Sequence, residues 1–186
     1  PATNSITNAM ITDNTIESGK LFSTFKNGIT EADGWRVSAN ISSISSGSDY
    51  DLTSNWERND TNFDKIGTGM TESSGIFTFP STGIYLINFI LSVYTSSQAA
   101  EEFFKAMIFG TTDNSSYTKM TQTNSGIPDI ATNDYASIIT SCFFDVTNVS
   151  THKVKFATFF ESRTGNVTGN SSRNDTSVQF IRLGDT

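Results

Sequence analysis

Cysteine and histidine are almost absent from this 186-residue sequence, which has one of each. A single cysteine cannot form an intrachain disulfide, so no disulfide framework supports the fold. Cys142 lies in the apolar run SIITSCFFDV, which predicts a small buried side chain rather than a catalytic nucleophile. No apolar run approaches the roughly 18 residues that a membrane-spanning helix needs, so we expect no membrane insertion.

Charged residues are also scarce, and the net charge is negative, which disfavours binding to nucleic acid. Charged residues make up 17% of the chain, the net charge is −7 and the pI is about 4.6. A nucleic-acid partner requires clustered lysine and arginine. The densest basic stretch, His152-Lys153-Val154-Lys155, alternates along a predicted strand and is expected to be solvated. The sequence therefore predicts no nucleic-acid partner.

Motifs that carry catalysis are missing as well. The sequence contains no glycine-rich phosphate loop, no HExxH and no CxxC. His152 falls in a predicted turn, where an exposed side chain is expected, and the adjacent Glu101 and Glu102 are expected to be solvated. We therefore predict that the chain is not an enzyme and needs no cofactor.

Alternating apolar residues are abundant around a turn in residues 75–95, GIFTFPSTGIYLINFILSVYT. Before the turn, Phe77 and Phe79 share one face; after it, Tyr85, Ile87 and Phe89 do so. A period of two in a run rich in Phe, Ile and Tyr predicts strands. Proline and glycine in the turn PSTG favour a tight corner between them.

The chain from residue 34 onward is expected to be all-β. Apolar alternation predicts strands in residues 35–40, 63–67, 103–109, 116–122, 138–146, 154–160 and 177–183, in addition to the pair above. Residues 42–62 and 164–175 are rich in Ser, Asn, Asp and Gly and are expected to be long connections. About eight to ten strands separated by turns predict an antiparallel sandwich or jelly roll.

The N-terminus differs from the rest because a ten-residue unit occurs twice, in residues 5–14 and 15–24. One apolar edge of this segment would pack on the particle that carries it or on sister chains: Ile6, Met10, Ile11, Ile16 and Leu21. The pattern resembles short repeats of phage tail- and head-fibre proteins. A polar arm that wraps a neighbour or stays disordered is the alternative. We predict an extended attachment or trimerisation arm over residues 1–33 and a knob over residues 34–186.

The corner also carries a sequence resemblance. The pattern G-x-F-T-x-P-x-x-G-x-Y-x-x-x-F, which begins at Gly75 and ends at Phe89, resembles the central signature of the C1q/TNF-like trimeric jelly-roll domains. The resemblance covers about residues 35–183. It implies a jelly-roll knob that associates about a threefold axis, with aromatic faces of the sandwich meeting at the centre.

Phenylalanine is numerous enough to support such an assembly, with 15 copies in the chain. Phe143 and Phe144 are adjacent, as are Phe159 and Phe160, so one of each pair must point away from the core of its own chain. Burial in a cyclic assembly would cover them, although loops could do so instead. The residues predicted to form the core or the trimer interface are Phe77, Phe79, Tyr85, Ile87, Phe89, Phe143, Phe144, Phe156, Phe159, Phe160 and Phe180.

Loops are the expected place for ligand contacts. The aromatic candidates for contact with a host surface glycan are Tyr50, Trp56, Tyr117 and Tyr135. Four aspartates, Asp49, Asp51, Asp60 and Asp64, are candidates for a calcium site because Ca²⁺ takes oxygen ligands. Some C1q-like domains bind calcium near the apex, and the resemblance extends that expectation here.

Taken together, these features predict a structural protein at the surface of a virion, in a phage. It would be a trimeric capsid decoration, head-fibre or tail-fibre knob, joined to other capsid or tail proteins through its arm. The knob would stabilise the particle or attach to the host. The alternative is an extracellular C1q-like recognition module or lectin.

Overall fold

The computed structural model describes residues 28–60, 63–96 and 100–186. This part of the chain forms fourteen β-strands and no helix that is long and apolar enough to cross a membrane. The predicted arm-packing residues Ile6, Met10, Ile11, Ile16 and Leu21 lie outside the described residues. The strands are β1 Ala32–Val37, β2 Ile41–Ile44, β3 Tyr50–Asp51, β4 Trp56–Arg58, β5 Lys65–Ile66, β6 Thr71–Ser73, β7 Ile76–Thr78, β8 Gly83–Thr95, β9 Glu101–Thr111, β10 Thr118–Ile127, β11 Asp134–Val146, β12 Lys153–Phe160, β13 Gly165–Val167 and β14 Ser177–Gly184.

Two antiparallel sheets form a sandwich. The first sheet has the order β2-β13-β8-β14-β1-β4, with β11 paired to β8 and β5 paired to β1. The second sheet has the order β10-β9-β12-β7-β6, with β3 paired to β12. Neighbouring strands are far apart in sequence, as in β8 beside β14, which is typical of a jelly roll. The predicted all-β jelly-roll fold is confirmed.

An aromatic cluster fills the space between the sheets. Phe77 on β7 lies 5.4 Å from both Phe156 and Phe180, ring centre to ring centre. Trp35 and Trp56 meet the same ring edge-on, at 5.6 and 5.2 Å. Edge-to-face contacts suit the ring quadrupoles, and each large ring removes much apolar area from water. The aromatic side chains therefore form the centre of the core, and buried Val, Ile and Leu side chains complete it.

The corner after β7 carries the chain from the second sheet to the first, so β7 and β8 are not paired as a hairpin. Gly83 has a φ of 142°, and a Cβ there would lie 2.5 Å from the carbonyl oxygen of Gly184. Tyr85 fixes the turn from inside, because its hydroxyl donates to the carbonyl oxygen of Ser81 at 3.1 Å. The predicted corner is thus present, but it joins two layers.

Several predicted boundaries differ from the structure, among them the two long connections and the start of the knob. The connection expected over residues 42–62 contains β3 and β4, and the one over residues 164–175 contains β13. These strands are two or three residues long and rich in polar side chains, so they show no alternation that a sequence pattern can detect. The first strand begins at Ala32, two residues before the predicted start of the knob, and ends at Val37.

Candidate subunit interface

The outer face of the first sheet is apolar and exposed along β11. We define the assembly face as the outward side chains of β8, β11 and β14. On β11, Tyr135, Ile139 and Phe143 are 62%, 63% and 68% exposed, whereas the alternate residues Ile138, Cys142 and Phe144 pack against the core. Exposed apolar side chains aligned on one strand are characteristic of a surface that another protein covers.

Strand register arranges this face in layers. Phe143 lies opposite Leu86, which lies opposite Ile181 on β14, so three apolar side chains form one layer. The next layer is polar and contains Ser141, Asn88 and Gln179. Directly opposed side chains on neighbouring strands lie about 5 Å apart and share a face. The layers therefore run across the sheet as continuous bands.

The layers continue toward the other end of β8. Ile139 is paired with Ile90, and Tyr135 with Tyr94, whose rings stack at 5.2 Å with an angle of 30° between them. Neither residues 84–95 nor residues 135–143 include a charged side chain. These two stretches can therefore be buried without desolvating an ion, which favours a role in assembly. Asp145, opposite Ile84, lies at the end of the face.

A groove of about 230 Å³ lies on the same sheet, beyond β14. Its floor includes Gly34 on β1 together with Gln179 and Ile181 on β14, and Phe63 forms part of its wall. Because Ile181 also belongs to the layer of Phe143, the groove and the exposed ring lie at the same level of the sheet. One face thus offers both an apolar projection and a cleft.

The predicted core and interface residues are half-buried (Phe144), outward-facing (Phe143 and Phe159) or fully buried. Phe144 is half-buried and packs against the core, Phe143 points outward on the first sheet, and Phe159 points outward on the second. The two outward phenylalanines therefore lie on opposite faces of the sandwich. The remaining residues are buried: Phe77, Phe79, Tyr85, Ile87, Phe89, Phe156, Phe160 and Phe180.

Four aliphatic residues of the assembly face were absent from the predicted set: Leu86, Ile90, Ile139 and Ile181. The signal that could have identified them is the second face of residues 83–95. Both faces of this strand are apolar, although only one can face the interior of a two-layer sandwich.

The four candidate calcium ligands do not converge. The carboxylates of Asp49 and Asp51 form ion pairs with Lys119 at 3.4 Å and Lys155 at 2.5 Å, and that of Asp60 pairs with Arg36 at 3.0 Å. Within residues 28–60, 63–96 and 100–186, no three His, Cys, Asp or Glu side chains form a group that could hold a metal. Asp64 is exposed. Calcium binding and the absence of a cofactor remain predictions, as does the absence of enzymatic activity.

The expectation that Glu101 is solvated is wrong: it is 2% exposed, and its carboxylate accepts hydrogen bonds from three backbone nitrogens in residues 161–163.

The expectation that His152 is exposed is also wrong. It is 7% exposed and lies 5.6 Å from the ring of Phe144. Its ring nitrogens lie 3.2 Å from the hydroxyl of Thr147 and 3.1 Å from that of Thr151. The turn packs over the histidine, so its ring is enclosed between Phe144 and the two threonines.

Three of the four aromatic candidates for ligand contact lie in strands rather than loops. Trp56 on β4 packs into the core, and its indole nitrogen donates to the carbonyl oxygen of Leu52 at 2.7 Å. Tyr50 lies on β3 and Tyr135 on β11, within the assembly face. Tyr117 precedes β10, where its ring lies 5.0 Å from the ammonium group of Lys155.

Burial raises the pKa of the Cys142 thiol to about 11. At pH 8 the folded protein should therefore hold little thiolate, the nucleophilic form. Alkylation by iodoacetamide is expected to be on the order of ten-fold slower than in urea-unfolded protein, where the pKa returns to about 8.5. Mass spectrometry of samples quenched at timed intervals measures both alkylation rates. Equal rates would contradict the half-buried position of Cys142.

Comparison with known proteins gives similarity in structure alone. No protein-family model matches the chain, and no curated protein matches it in sequence. The structure is similar to that of Eiger TNF from S. frugiperda, with a TM-score of 0.60, 11% identity, and coverage of 86% of this chain and 96% of that chain. It is also similar to murine APRIL, with a TM-score of 0.58, 12% identity, and coverage of 82% and 98%. At such identities the likeness shows the fold.

Proposed function

We propose that the chain is a trimeric structural protein of a virus particle, the knob of a phage capsid decoration, head fibre or tail fibre. Its arm, residues 1–33, attaches to other capsid or tail proteins. Its knob projects from the virion surface, where it reinforces the particle or contacts a host surface glycan.

The exposed, apolar assembly face is the observation that best supports the trimer. Phe143 and Ile139 expose more than 60% of their surfaces, and neither residues 84–95 nor residues 135–143 include a charged side chain. Leaving such a face in water forgoes roughly 25 cal/mol for each Å² of apolar area that could be buried. A second and third copy would cover it.

A ring of three copies requires two different complementary patches, because each contact in a cyclic trimer is heterologous. The chain offers both on the first sheet. Phe143 projects from β11 at one side, and the groove beside Gly34 and Ile181 lies toward the other. We therefore place the ring of one copy's Phe143 in the groove of its neighbour.

The virion role rests on the sequence. The repeated ten-residue unit resembles phage fibre repeats, and it precedes a knob that offers a surface for assembly. Three chains carry three times −7, or −21 charges, which keeps particles mutually repelling. Weak contacts made by many copies on one particle would add through avidity.

Two substitutions on β11 test the trimer. The full chain should have a mass near 61 kDa in light scattering, three times 20.3 kDa. The Ile139→Asp, Phe143→Asp double variant is expected to be a folded monomer near 20 kDa, because two carboxylates would be buried without partners. Ile130→Asp is the matched control, since Ile130 is 80% exposed in a loop.

A wild-type monomer would overturn the trimer, and so would a double variant that remains at 61 kDa. Removing the arm separates its contribution from that of the knob. The truncated chain should begin at Gly28 rather than Gly34, because Ala32 and Asp33 belong to β1. A trimer that persists places assembly in the knob; its loss places assembly in the arm.

Mass spectrometry of purified virus particles from the source of the chain tests the virion role. We expect peptides of the chain in the particles, with a copy number divisible by three. Detection only in the medium as a glycosylated protein would instead support the extracellular recognition module or lectin.

A further inference from the structure

Lysines are concentrated on the outer face of the second sheet, which points away from the assembly face. Of the five lysines in the described residues, four lie there, and the fifth, Lys65, lies on β5 of the first sheet. The four are Lys105 on β9, Lys119 on β10, and Lys153 and Lys155 on β12. We call this surface the lysine face. Positive side chains are thus gathered on one surface of a chain that is acidic as a whole.

The register aligns these lysines along the strands. Lys119 and Lys155 lie on either side of Phe109, opposite it on neighbouring strands. Lys153 lies two residues before Lys155 on β12. Lys105 lies opposite Phe159, which is four residues after Lys155 on the same strand. At about 3.3 Å per residue, the lysine face is roughly 20 Å long from Lys153 to the level of Phe159. An extended polymer could contact several of the ammonium groups at once.

Two of the four ammonium groups have no carboxylate partner among the described residues. Lys119 and Lys155 form ion pairs with Asp49 and Asp51, but Lys105 and Lys153 form none. The ammonium of Lys153 donates to the hydroxyl of Thr78 at 3.2 Å. That of Lys105 lies over two stacked rings, 5.0 Å from Phe103 and 4.1 Å from Phe159. A hydroxyl group and two aromatic rings thus hold in place two ammonium groups that form no ion pair with a described carboxylate.

A groove of about 250 Å³ lies beside Lys153, with Ile76 in its lining. Hydroxyl, amide and ammonium side chains line the rest: Thr71, Ser73, Thr78, Asn114 and Lys153. Glu72 also borders it, and its carboxylate accepts a hydrogen bond from the backbone nitrogen of Gly75 at 2.6 Å. Hydroxyl and amide groups both donate and accept, as the hydroxyl groups of a sugar do.

We propose that the lysine face binds an acidic polysaccharide, in which carboxylate groups are spaced among neutral, hydroxyl-rich sugars. Closely spaced phosphates, as in nucleic acid, would be repelled by a chain of net charge −7, whereas sparse carboxylates can meet Lys105 and Lys153 singly. The proposal specifies the host contact of the proposed function. It does not rest on the trimer, because the lysine face and the assembly face belong to different sheets.

Titration calorimetry with the full chain and hyaluronan oligosaccharides, in which each carboxylate-bearing sugar alternates with a neutral one, tests this ligand. The Lys105→Gln, Lys153→Gln double variant should bind about ten-fold more weakly or worse, because two charge-assisted contacts are lost. The control Lys65→Gln removes one lysine from the other sheet and should bind as the wild type does. Raising the ionic strength to about 0.5 M should weaken wild-type binding.

Four results would overturn the proposal: no binding of the hyaluronan oligosaccharides, equal binding of their carboxyl-reduced form, an equal loss in the Lys65→Gln control, or equally tight binding of polyglutamate or single-stranded DNA. Light scattering on the same samples reports the trimer independently. A monomer that binds the polysaccharide would support the ligand proposal and refute the trimer. A trimer that does not bind it would support the trimer and refute the ligand proposal.

Discussion

Replacing Phe77 by alanine is expected to lower the free energy of unfolding by about 3–5 kcal/mol, which is the range for a large aromatic residue removed from a core. The Phe77 ring is fully buried, and four other rings surround it: Trp35, Trp56, Phe156 and Phe180. Because these partners come from both sheets, the cavity would open at the centre of the sandwich. The loss is a large part of the roughly 5–15 kcal/mol that stabilises an ordinary domain.

Urea unfolding followed by circular dichroism measures this change, at one protein concentration because assembly would add to the apparent stability. Phe103→Ala is the control of the same chemistry. Phe103 is half-buried on the outer face of the second sheet, where it stacks on Phe159 at 5.9 Å. We expect it to lose about 1 kcal/mol. Equal losses at both positions would mean that the aromatic cluster does not hold the sheets together.

The sequence predicted the long strands because their burial alternates. Every second residue of β8 from Tyr85 to Thr95 is buried, and a period of two in such a run is visible without a structure. Pairing across the sandwich was not predictable in the same way. Nothing in the sequence places Ile181 opposite Leu86, since that register depends on contacts between residues almost a hundred positions apart.

The sequence predicted that some aromatic side chains face outward, but it did not predict all the residues of the assembly face. The argument from adjacent phenylalanines predicted that either Phe143 or Phe144 faces outward, and the structure shows that it is Phe143. The same argument could not tell that Phe159 points outward on the other sheet, since it says nothing of which layer a strand joins. His152 was misplaced for a similar reason: turn residues are usually exposed, but here the turn packs on Phe144.

The lysine face shows a further limit of sequence patterns. Lys153 and Lys155 alternate along one strand, which reads as an ordinary solvated edge. Only the pairing of β12 with β9, and of β9 with β10, adds Lys105 and Lys119 to the same surface. A charge cluster assembled from three strands is a property of the fold, so composition and local spacing could not predict it.

The second large effect is expected for Asp33→Ala. Asp33 is 3% exposed, and its carboxylate accepts hydrogen bonds from the backbone nitrogens of Gly34 and Met70 at 2.9 and 2.7 Å. It also accepts from the indole nitrogen of Trp35 at 2.9 Å and from the guanidinium of Arg58 at 3.1 Å. The alanine variant would leave these donors without their acceptor, at a loss of about 3–5 kcal/mol in the free energy of unfolding.

Asp175→Ala distinguishes this buried network from an ordinary ion pair. Asp175 pairs with Arg173 at 2.7 Å, but the arginine side chain is 71% exposed, so we expect a loss of at most about 1 kcal/mol. Salt should separate the two further, because ions screen exposed pairs and hardly reach a buried one. If Asp33→Ala lost as little as Asp175→Ala, shape and apolar burial alone would hold β1 against β4, and the carboxylate would be dispensable to the fold.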